Sequence, residues 1–175
     1  MKHIMQRNRI REDVHSMIAL MARHITGKRK DINKMYSFVE EKSENTHISS
    51  CEVLEIENKY NINFPTMLKE YYLQHNGDKI RLCIFTVDEE EFGVAKIVEL
   101  KYGNCSFEKI VKNDREDGII DKHLYPLARN EGGDYFYWDV RDENVYMIYC
   151  DDVENPVWVC DSIKAFFDLM ENNQT

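Results

Sequence analysis

The spacing of apolar residues in this 175-residue chain changes at Gly77, and this change limits the possible folds more than any other feature. Before Gly77 the apolar positions recur every three or four residues, which is the period of a helix. After Gly77, Ile80, Leu82 and Ile84 alternate with other side chains, and this pattern predicts a β-strand. Helices followed by strands, rather than strict alternation of the two, indicate an α+β fold.

Local signals predict the helices that precede Gly77. Residues 35–43 suit a short helix. Ser49 and Glu52 have the spacing of a capping box, in which each side chain accepts a hydrogen bond from the other residue's backbone amide. A further helix is expected to begin at Pro65, because proline is favourable at a first helical position. Its buried face is expected to contain Leu68, Tyr71, Tyr72 and His75.

The second half of the chain contains the predicted strands. Strands are expected at 92–100, 124–129, 134–140, 145–150 and 157–160, and the third and fourth of them form a hairpin. No element is assigned to 101–123. A last helix begins near Ser162, with a buried stripe of Ile163, Phe166, Phe167 and Met170. The expected architecture is α+β, with N-terminal helices packed on an antiparallel or mixed sheet and a C-terminal helix.

Charge divides the chain into two parts. Residues 1–34 contain nine Lys/Arg against three acids, a formal charge of +6, and the whole chain carries −9, so residues 35–175 carry −15. A body of this charge repels nucleic acid and anionic membrane surfaces, and it attracts a basic partner.

Residues 1–34 are therefore interpreted as a basic N-terminal extension and residues 35–175 as the domain. Residues 12–25 are expected to form a helix with an apolar stripe of Val14, Met17, Ile18, Met21 and Ile25. Two interpretations stay open. The helix contacts a membrane, an RNA or a partner through its flanking bases, or it docks on the acidic body through the stripe.

The stretch 131–161 is the most acidic part of the chain, with nine acids and one base, Arg141. Such runs are commonly turn residues and solubilising charge. The alternative is a partner-binding surface, where charge speeds association and a few aromatic side chains hold the complex. The acids expected to contact a partner are Asp134, Glu143, Asp151, Asp152 and Glu154. The aromatic anchors, if they are exposed, are expected among Tyr135, Tyr137 and Trp158.

No sequence motif predicts a catalytic site, a cofactor or a metal. The seven glycines do not form GxGxxG or GxxxxGK[ST], and HExxH and GxSxG are absent. The five cysteines form no CxxC pair, and without a signal peptide they are expected to be reduced thiols in a cytoplasmic protein. No stretch approaches the roughly 18 apolar residues of a membrane span. The sequence favours a binding protein over an enzyme.

Three blocks of sequence, in order, share the pattern of a known superfamily. The first block contains Glu57, Tyr60, Phe64, Pro65, Leu68, Tyr71, Asn76 and Gly77. The second is the Gly-Gly-Asp segment within 125–134, and the third joins 157–160 to 162–167. Over about 35–171 the chain resembles the SUKH superfamily, the Smi/Knr cell-wall-regulator-like domains. It departs from the pattern at Asp78, where the family often has glycine, and the basic segment 1–34 has no counterpart.

The resemblance implies a non-enzymatic function. Bacterial SUKH proteins are mostly immunity proteins that bind and neutralise a cognate toxin of a polymorphic or contact-dependent system, often a nuclease. Fungal relatives are interaction hubs in cell-wall synthesis and signalling. The small size of this chain favours the bacterial type, so a cytoplasmic immunity protein for a basic toxin is expected. An interaction scaffold or regulatory adaptor is the alternative.

Overall fold

The computed structural model describes residues 36–44 and 46–172. The predicted helix 12–25 and the rest of the basic segment 1–34 lie outside these residues, so the two-part domain division stays a prediction. The described helices are α1 (Ser50–Tyr60), α2 (Thr66–His75), α3 (Phe107–Glu116) and α4 (Ile163–Asn172). None of them is long and apolar enough to cross a membrane.

Nine strands form three antiparallel sheets in the described part of the chain. The strands are β1 (Val39–Glu41), β2 (Lys79–Ile80), β3 (Cys83–Val87), β4 (Glu90–Val94), β5 (Lys96–Ile97), β6 (Leu124–Arg129), β7 (Tyr135–Asp139), β8 (Val145–Tyr149) and β9 (Asp152–Cys160). β1 pairs with β2, β3 pairs with β4, and β5 to β9 form one sheet in which each strand lies beside the next. The predicted α+β class with a C-terminal helix is confirmed.

The capping box of α1 and the glycine after α2 form the structure that the sequence predicts. The Ser49 amide donates to the Glu52 side chain at 2.8 Å, and the Glu52 amide donates to the Ser49 hydroxyl at 3.3 Å, which completes the capping box of α1. Pro65 lies one position before α2, at its N-cap rather than at its first helical residue. Gly77 follows α2 with φ +77°, the left-handed conformation that favours glycine.

Aromatic rings from the helices and the sheets form a large part of the core. Phe64, which precedes α2, contacts Phe107 of α3 and Trp138 of β7. Phe166 of α4 contacts Phe85 of β3 at 5.9 Å and Phe136 of β7 at 5.1 Å between ring centroids. Aromatic pairs at such distances add stability beyond the area that they bury. The predicted stripe of α4, from Ile163 to Met170, is buried against this cluster.

The strand predicted from Ile80 to Ile84 is two strands. The break between them changes which of these side chains share a face. The chain leaves the β-conformation at Arg81 and Leu82, between β2 and β3. Side chains alternate across a strand, so a break shifts the alternation by one residue. As a result Cys83 and Phe85 are buried, whereas Leu82 and Ile84 are 40% and 45% exposed. The predicted strand 92–100 is likewise divided, with β4 ending at Val94 and β5 covering only Lys96–Ile97.

Three other assignments also change. The described part of the helix predicted at 35–43, residues 36–43, is not helical, because Val39 pairs with Ile80 and the Arg81 amide donates to the Phe38 carbonyl at 2.9 Å. The unassigned region 101–123 contains α3, whose buried side chains are Phe107, Ile110 and Val111. The last strand, β9, begins at Asp152 and is longer than the predicted 157–160.

Candidate partner-binding surface

The single base of the acidic stretch is already neutralised by an acid of its own hairpin. Arg141 lies in the turn after β7, and its Nε donates to both carboxylate oxygens of Asp139, at 3.0 and 3.1 Å. Burial pushes the pKa of Asp139 upward, but hydrogen bonds from the Arg141 side chain and backbone outweigh it and hold the pKa below its ordinary value. The remaining eight acids of 131–161 therefore have no compensating base within the stretch.

Three of the predicted contact acids lie together at the start of β9 and are exposed. They are Asp151, Asp152 and Glu154. None of them forms a salt bridge with a described residue, although the Asp152 carboxylate accepts a hydrogen bond from the Asn155 side chain at 2.7 Å. β9 is an edge strand that pairs only with β8 among the described strands, and Pro156 in it is compatible with an edge position. These charges are free to face a partner.

Trp158 meets the condition for an aromatic anchor. Its side chain is 44% exposed, and it lies opposite Tyr146 of β8, a half-buried residue. Neighbouring cross-strand side chains form one surface, so Trp158 and Tyr146 together offer an aromatic patch on the edge of the sheet. Tyr146 was not predicted as a site residue. The sequence places Tyr146 in a predicted strand, but only the pairing of β8 with β9 places it next to Trp158.

The two other predicted anchors are not surface anchors of this kind. Tyr137 is 2% exposed, and its hydroxyl donates to the Asp114 carboxylate at 2.6 Å, so it does not meet the condition of exposure for an anchor. It packs in a small cluster with Ile120 and Ile148, because the chain after α3 covers this part of the sheet. Tyr135 is half-buried and lies under the guanidinium of Arg129.

The remaining predicted acids differ in their surroundings. Asp134 is half-buried, and its carboxylate accepts hydrogen bonds from the Cys150 amide and the Asn130 side chain, both at 3.0 Å. The Asn130 side chain in turn accepts from the Gly133 and Asp134 amides, so the Gly-Gly-Asp block is a closed turn. Glu143 lies exposed in the β7–β8 turn with φ +66°. Asp134 therefore holds a turn together, whereas Glu143 is an exposed charge.

Next to this turn lies a shallow slot that the sequence did not predict. Its volume is about 230 Å³, and its lining residues are Leu82, Ile84, Glu91, Gly93, Asn130, Glu131 and Gly132. Leu82 and Ile84 line it because of the phase shift between β2 and β3, and Gly93 leaves room between them and the loop. Two acids, Glu91 and Glu131, lie at the slot. Leu82 and Ile84 beside two carboxylates suit the long stem and charged end of a lysine or arginine.

The residues of the first sequence block make buried structural contacts. The Glu57 carboxylate accepts from the Phe64 amide at 2.7 Å and pairs with Lys69 at 2.8 Å. The Asn76 side chain donates to the Thr46 and Lys101 carbonyls and accepts from the Leu100 amide at 2.6 Å. These contacts join segments that are distant in sequence, so these polar residues are explained by the fold.

Asp78, which departs from the pattern, also has a structural partner. Its carboxylate lies 2.9 Å from Nδ1 of His75, and its other oxygen accepts from the Ser43 amide at 2.8 Å. Both side chains are buried. In the described part of the chain no group of three His, Cys, Asp or Glu side chains is arranged to hold a metal ion.

Taken together, the described residues form an α+β domain whose exposed features are uncompensated acids, one aromatic patch and a slot. The sequence profile of the SMI1 / KNR4 family (SUKH-1) matches residues 47–169, and the chain belongs to this family. No protein of curated function matches the sequence significantly. A crystal structure of a protein from Pseudomonas syringae pv. tomato is similar, with 16% identity and a TM-score of 0.48 over 78% of this chain and 92% of that one.

Proposed function

We propose that this protein is an immunity protein that neutralises a cognate toxin by stoichiometric binding through its acidic surface. The acidic surface is defined by Glu143, Asp151, Asp152, Glu154 and Trp158. Membership of a family that includes immunity proteins supports the proposal. The protein acts in the cytoplasm, without catalysis and without a cofactor.

The observation that carries the proposal is the pairing of Arg141 with Asp139. Because the only base of 131–161 is neutralised within its own hairpin, the exposed acids around β9 present a field of one sign. Such a field increases the association rate with a basic partner and makes that rate depend on salt. A nuclease toxin is basic where it holds nucleic acid, so its active surface has the complementary charge.

The short-range part of the interface is supplied by Trp158. Binding energy concentrates in a few desolvated aromatic side chains, while surrounding polar contacts add mostly specificity. Trp158, Asp152 and Glu154 are all exposed on the edge strand β9, so a partner that docks along this edge would contact all three. The slot beside Glu131 offers a further apolar contact for a basic side chain.

The direct experiment is co-expression with the toxin domain encoded beside this gene, followed by measured binding. We expect the wild-type protein to rescue growth. The triple reversal D151K/D152K/E154K is expected to slow association by tenfold or more and to flatten its salt dependence, with little change in melting temperature. A matched control is E40K/E41K/E44K, which changes the charge by the same amount at exposed positions outside 131–161.

Two results would contradict the proposal. The first is a triple variant that binds and protects as the wild type does, which would leave the acids as solubilising charge. The second is the absence of any neighbouring toxin that the protein neutralises. Recovery of many unrelated partners in pull-downs, all lost in the triple variant, would instead support the scaffold or adaptor function.

A further inference from the structure

A second cleft, on the other side of the Asn130–Asp134 turn, differs in charge from the rest of the domain. Its volume is about 210 Å³, and its lining residues are Lys96, Val98, Glu99, Asn104, Cys105, Arg129 and Tyr135. We call it the basic cleft. It holds two bases and one acid, although residues 35–175 as a whole carry −15.

Arg129 is the unusual residue of the basic cleft. Its Nε is buried and has no hydrogen-bond partner among the described residues. The guanidinium is fixed by packing instead, with its carbon 5.7 Å from the centroid of the Tyr135 ring. The described fold therefore positions this guanidinium by packing and leaves its Nε without an acceptor.

The backbone at Gly133 allows this placement. Gly133 has φ +103°, and a Cβ there would lie 3.0 Å from an amino nitrogen of Arg129. A side chain at this position would both strain the backbone and press on the guanidinium. The Gly-Gly-Asp turn thus keeps space for Arg129 next to Tyr135.

The acid of the basic cleft does not neutralise Arg129. Glu99 is buried, and one of its oxygens lies 2.6 Å from Nζ of Lys96, which forms its ion pair. The other oxygen has no hydrogen-bond partner and lies against Gly103, where a Cβ would come within 1.1 Å of it. Because Lys96 pairs with Glu99, Arg129 is the base of the cleft lining that has no ion pair among the described residues.

Further polar groups line the cleft together with Arg129. Burial and the neighbouring Cys105 thiol raise the pKa of Tyr135 to about 12, so its hydroxyl keeps its proton at neutral pH and can donate. The side-chain amide of Asn104 also lines the cleft. A planar guanidinium matches the two oxygens of a carboxylate, and one positive charge balances one carboxylate better than a phosphate dianion.

We propose that the basic cleft binds a carboxylate group, held by Arg129 and by the donors of Tyr135 and Asn104. The source of the carboxylate is a small organic acid or an acidic side chain. This site is independent of the proposed toxin-binding surface, because it prefers a ligand of the opposite charge.

The test uses the full chain and three probes: acetate, the side-chain carboxylate of N-acetylglutamic acid α-amide, and inorganic phosphate. Binding is followed by NMR titration and by the rate at which iodoacetamide alkylates Cys105, an exposed thiol of the cleft. We expect acetate and the glutamate derivative to slow alkylation of Cys105 severalfold. Cys51 and Cys150 are also exposed and serve as internal controls whose rates stay unchanged. Tighter binding of the glutamate derivative assigns the site to an acidic side chain, and equal binding assigns it to a small acid.

Substitutions of Arg129 test whether this residue is responsible for carboxylate binding. Arg129→Gln is expected to weaken carboxylate binding at least tenfold, and Arg129→Lys, which keeps the charge but loses the planar fork, by an intermediate factor. Lys112→Gln removes the same charge from an exposed part of α3 and is expected to bind normally. If Arg129→Gln does not fold, Arg129→Lys carries the comparison. The proposal is overturned if no probe binds, if only phosphate binds, or if folded Arg129 variants bind as the wild type does.

Discussion

Arg141 and Asp139 form an ion pair across the first residues of the β7–β8 turn, with the carboxylate buried and the guanidinium exposed. The pair removes the only positive charge from the acidic stretch and also fixes the turn, since the Arg141 amide donates to the same carboxylate at 2.9 Å. The conformation of the β7–β8 turn and the net charge of the acidic stretch therefore depend on the same two residues.

The first prediction concerns the pH dependence of this pair. The pKa of Asp139 is lowered in the folded state, so its carboxylate stabilises the fold fully at pH values above its ordinary, unfolded-state pKa. This contribution is lost as the pH falls through the folded-state pKa. We expect the stability difference between wild type and Asp139→Asn to narrow as the pH falls below about 4. Urea unfolding followed by circular dichroism measures it, with exposed Asp151→Asn as the control.

Removal of the other partner tests the same pair at neutral pH. Arg141→Ala is expected to lower the free energy of unfolding, because the buried carboxylate of Asp139 loses charged donors. Arg141→Lys keeps the charge and is expected to cost less. Equal stability of wild type and Arg141→Ala at pH 7 would show that the pair does not hold the turn.

The second prediction concerns Asn76, which connects three segments by its side chain. Asn76→Ala leaves the buried Leu100 amide without its acceptor and two carbonyls without a donor. We expect a loss of about 2–4 kcal/mol in the free energy of unfolding, since each unsatisfied buried group costs about 1–3 kcal/mol. Asn58→Ala, at an exposed position of α1, is the matched control and is expected to change stability by less than about 0.5 kcal/mol.

The third prediction tests the phase shift after β2. Phe85→Ala is expected to cost about 3–5 kcal/mol, because the ring is buried against Phe166. Ile84→Ser, one residue earlier, is expected to change stability by less than about 1 kcal/mol because its side chain is largely exposed. If the two effects were reversed, the alternation read directly from the sequence would be right and the observed break in the strand would be wrong.

The fourth prediction concerns the capping box of α1. Ser49→Ala is expected to cost about 1 kcal/mol, and Ser50→Ala, next to it in the first turn, much less. A hydrogen bond from Tyr102 and those from Ser49 lower the pKa of Glu52 to about 2. The Glu52 carboxylate therefore contributes to stability at pH values above its ordinary pKa, and this contribution is lost as the pH falls toward 2. Thermal unfolding of wild type and Glu52→Gln between pH 7 and pH 2 checks this sign.

The fifth prediction separates anchoring from folding at Trp158. Trp158→Ala is expected to weaken binding to the toxin at least tenfold, mainly through faster dissociation, because a buried interface tryptophan is a common hot spot. Its melting temperature is expected to stay close to that of wild type. Leu54→Ala removes an exposed apolar side chain of α1 and is the control. Unchanged dissociation of the Trp158 variant would move the binding surface away from β9.

Elements that are stabilised by contacts between residues close in sequence could be predicted from the sequence alone. The capping box joins Ser49 to Glu52, the β7–β8 hairpin pairs neighbouring strands, and the stripe of α4 needs only a helical period. In each case the hydrogen bonds or the buried face are specified by residues next to one another, so propensity and periodicity are sufficient.

Tertiary contacts decided the rest. Val39 forms a strand because Ile80, distant in sequence, pairs with it, and a break at Arg81–Leu82 that no local signal marks sets which residues of β3 are buried. The chain after α3 covers Tyr137 and leaves Trp158 exposed. The basic cleft gathers Lys96, Arg129 and Tyr135 from three strands. Charge and element order are properties of the sequence, but exposure and convergence of side chains depend on the packing of distant segments, which a local pattern does not contain.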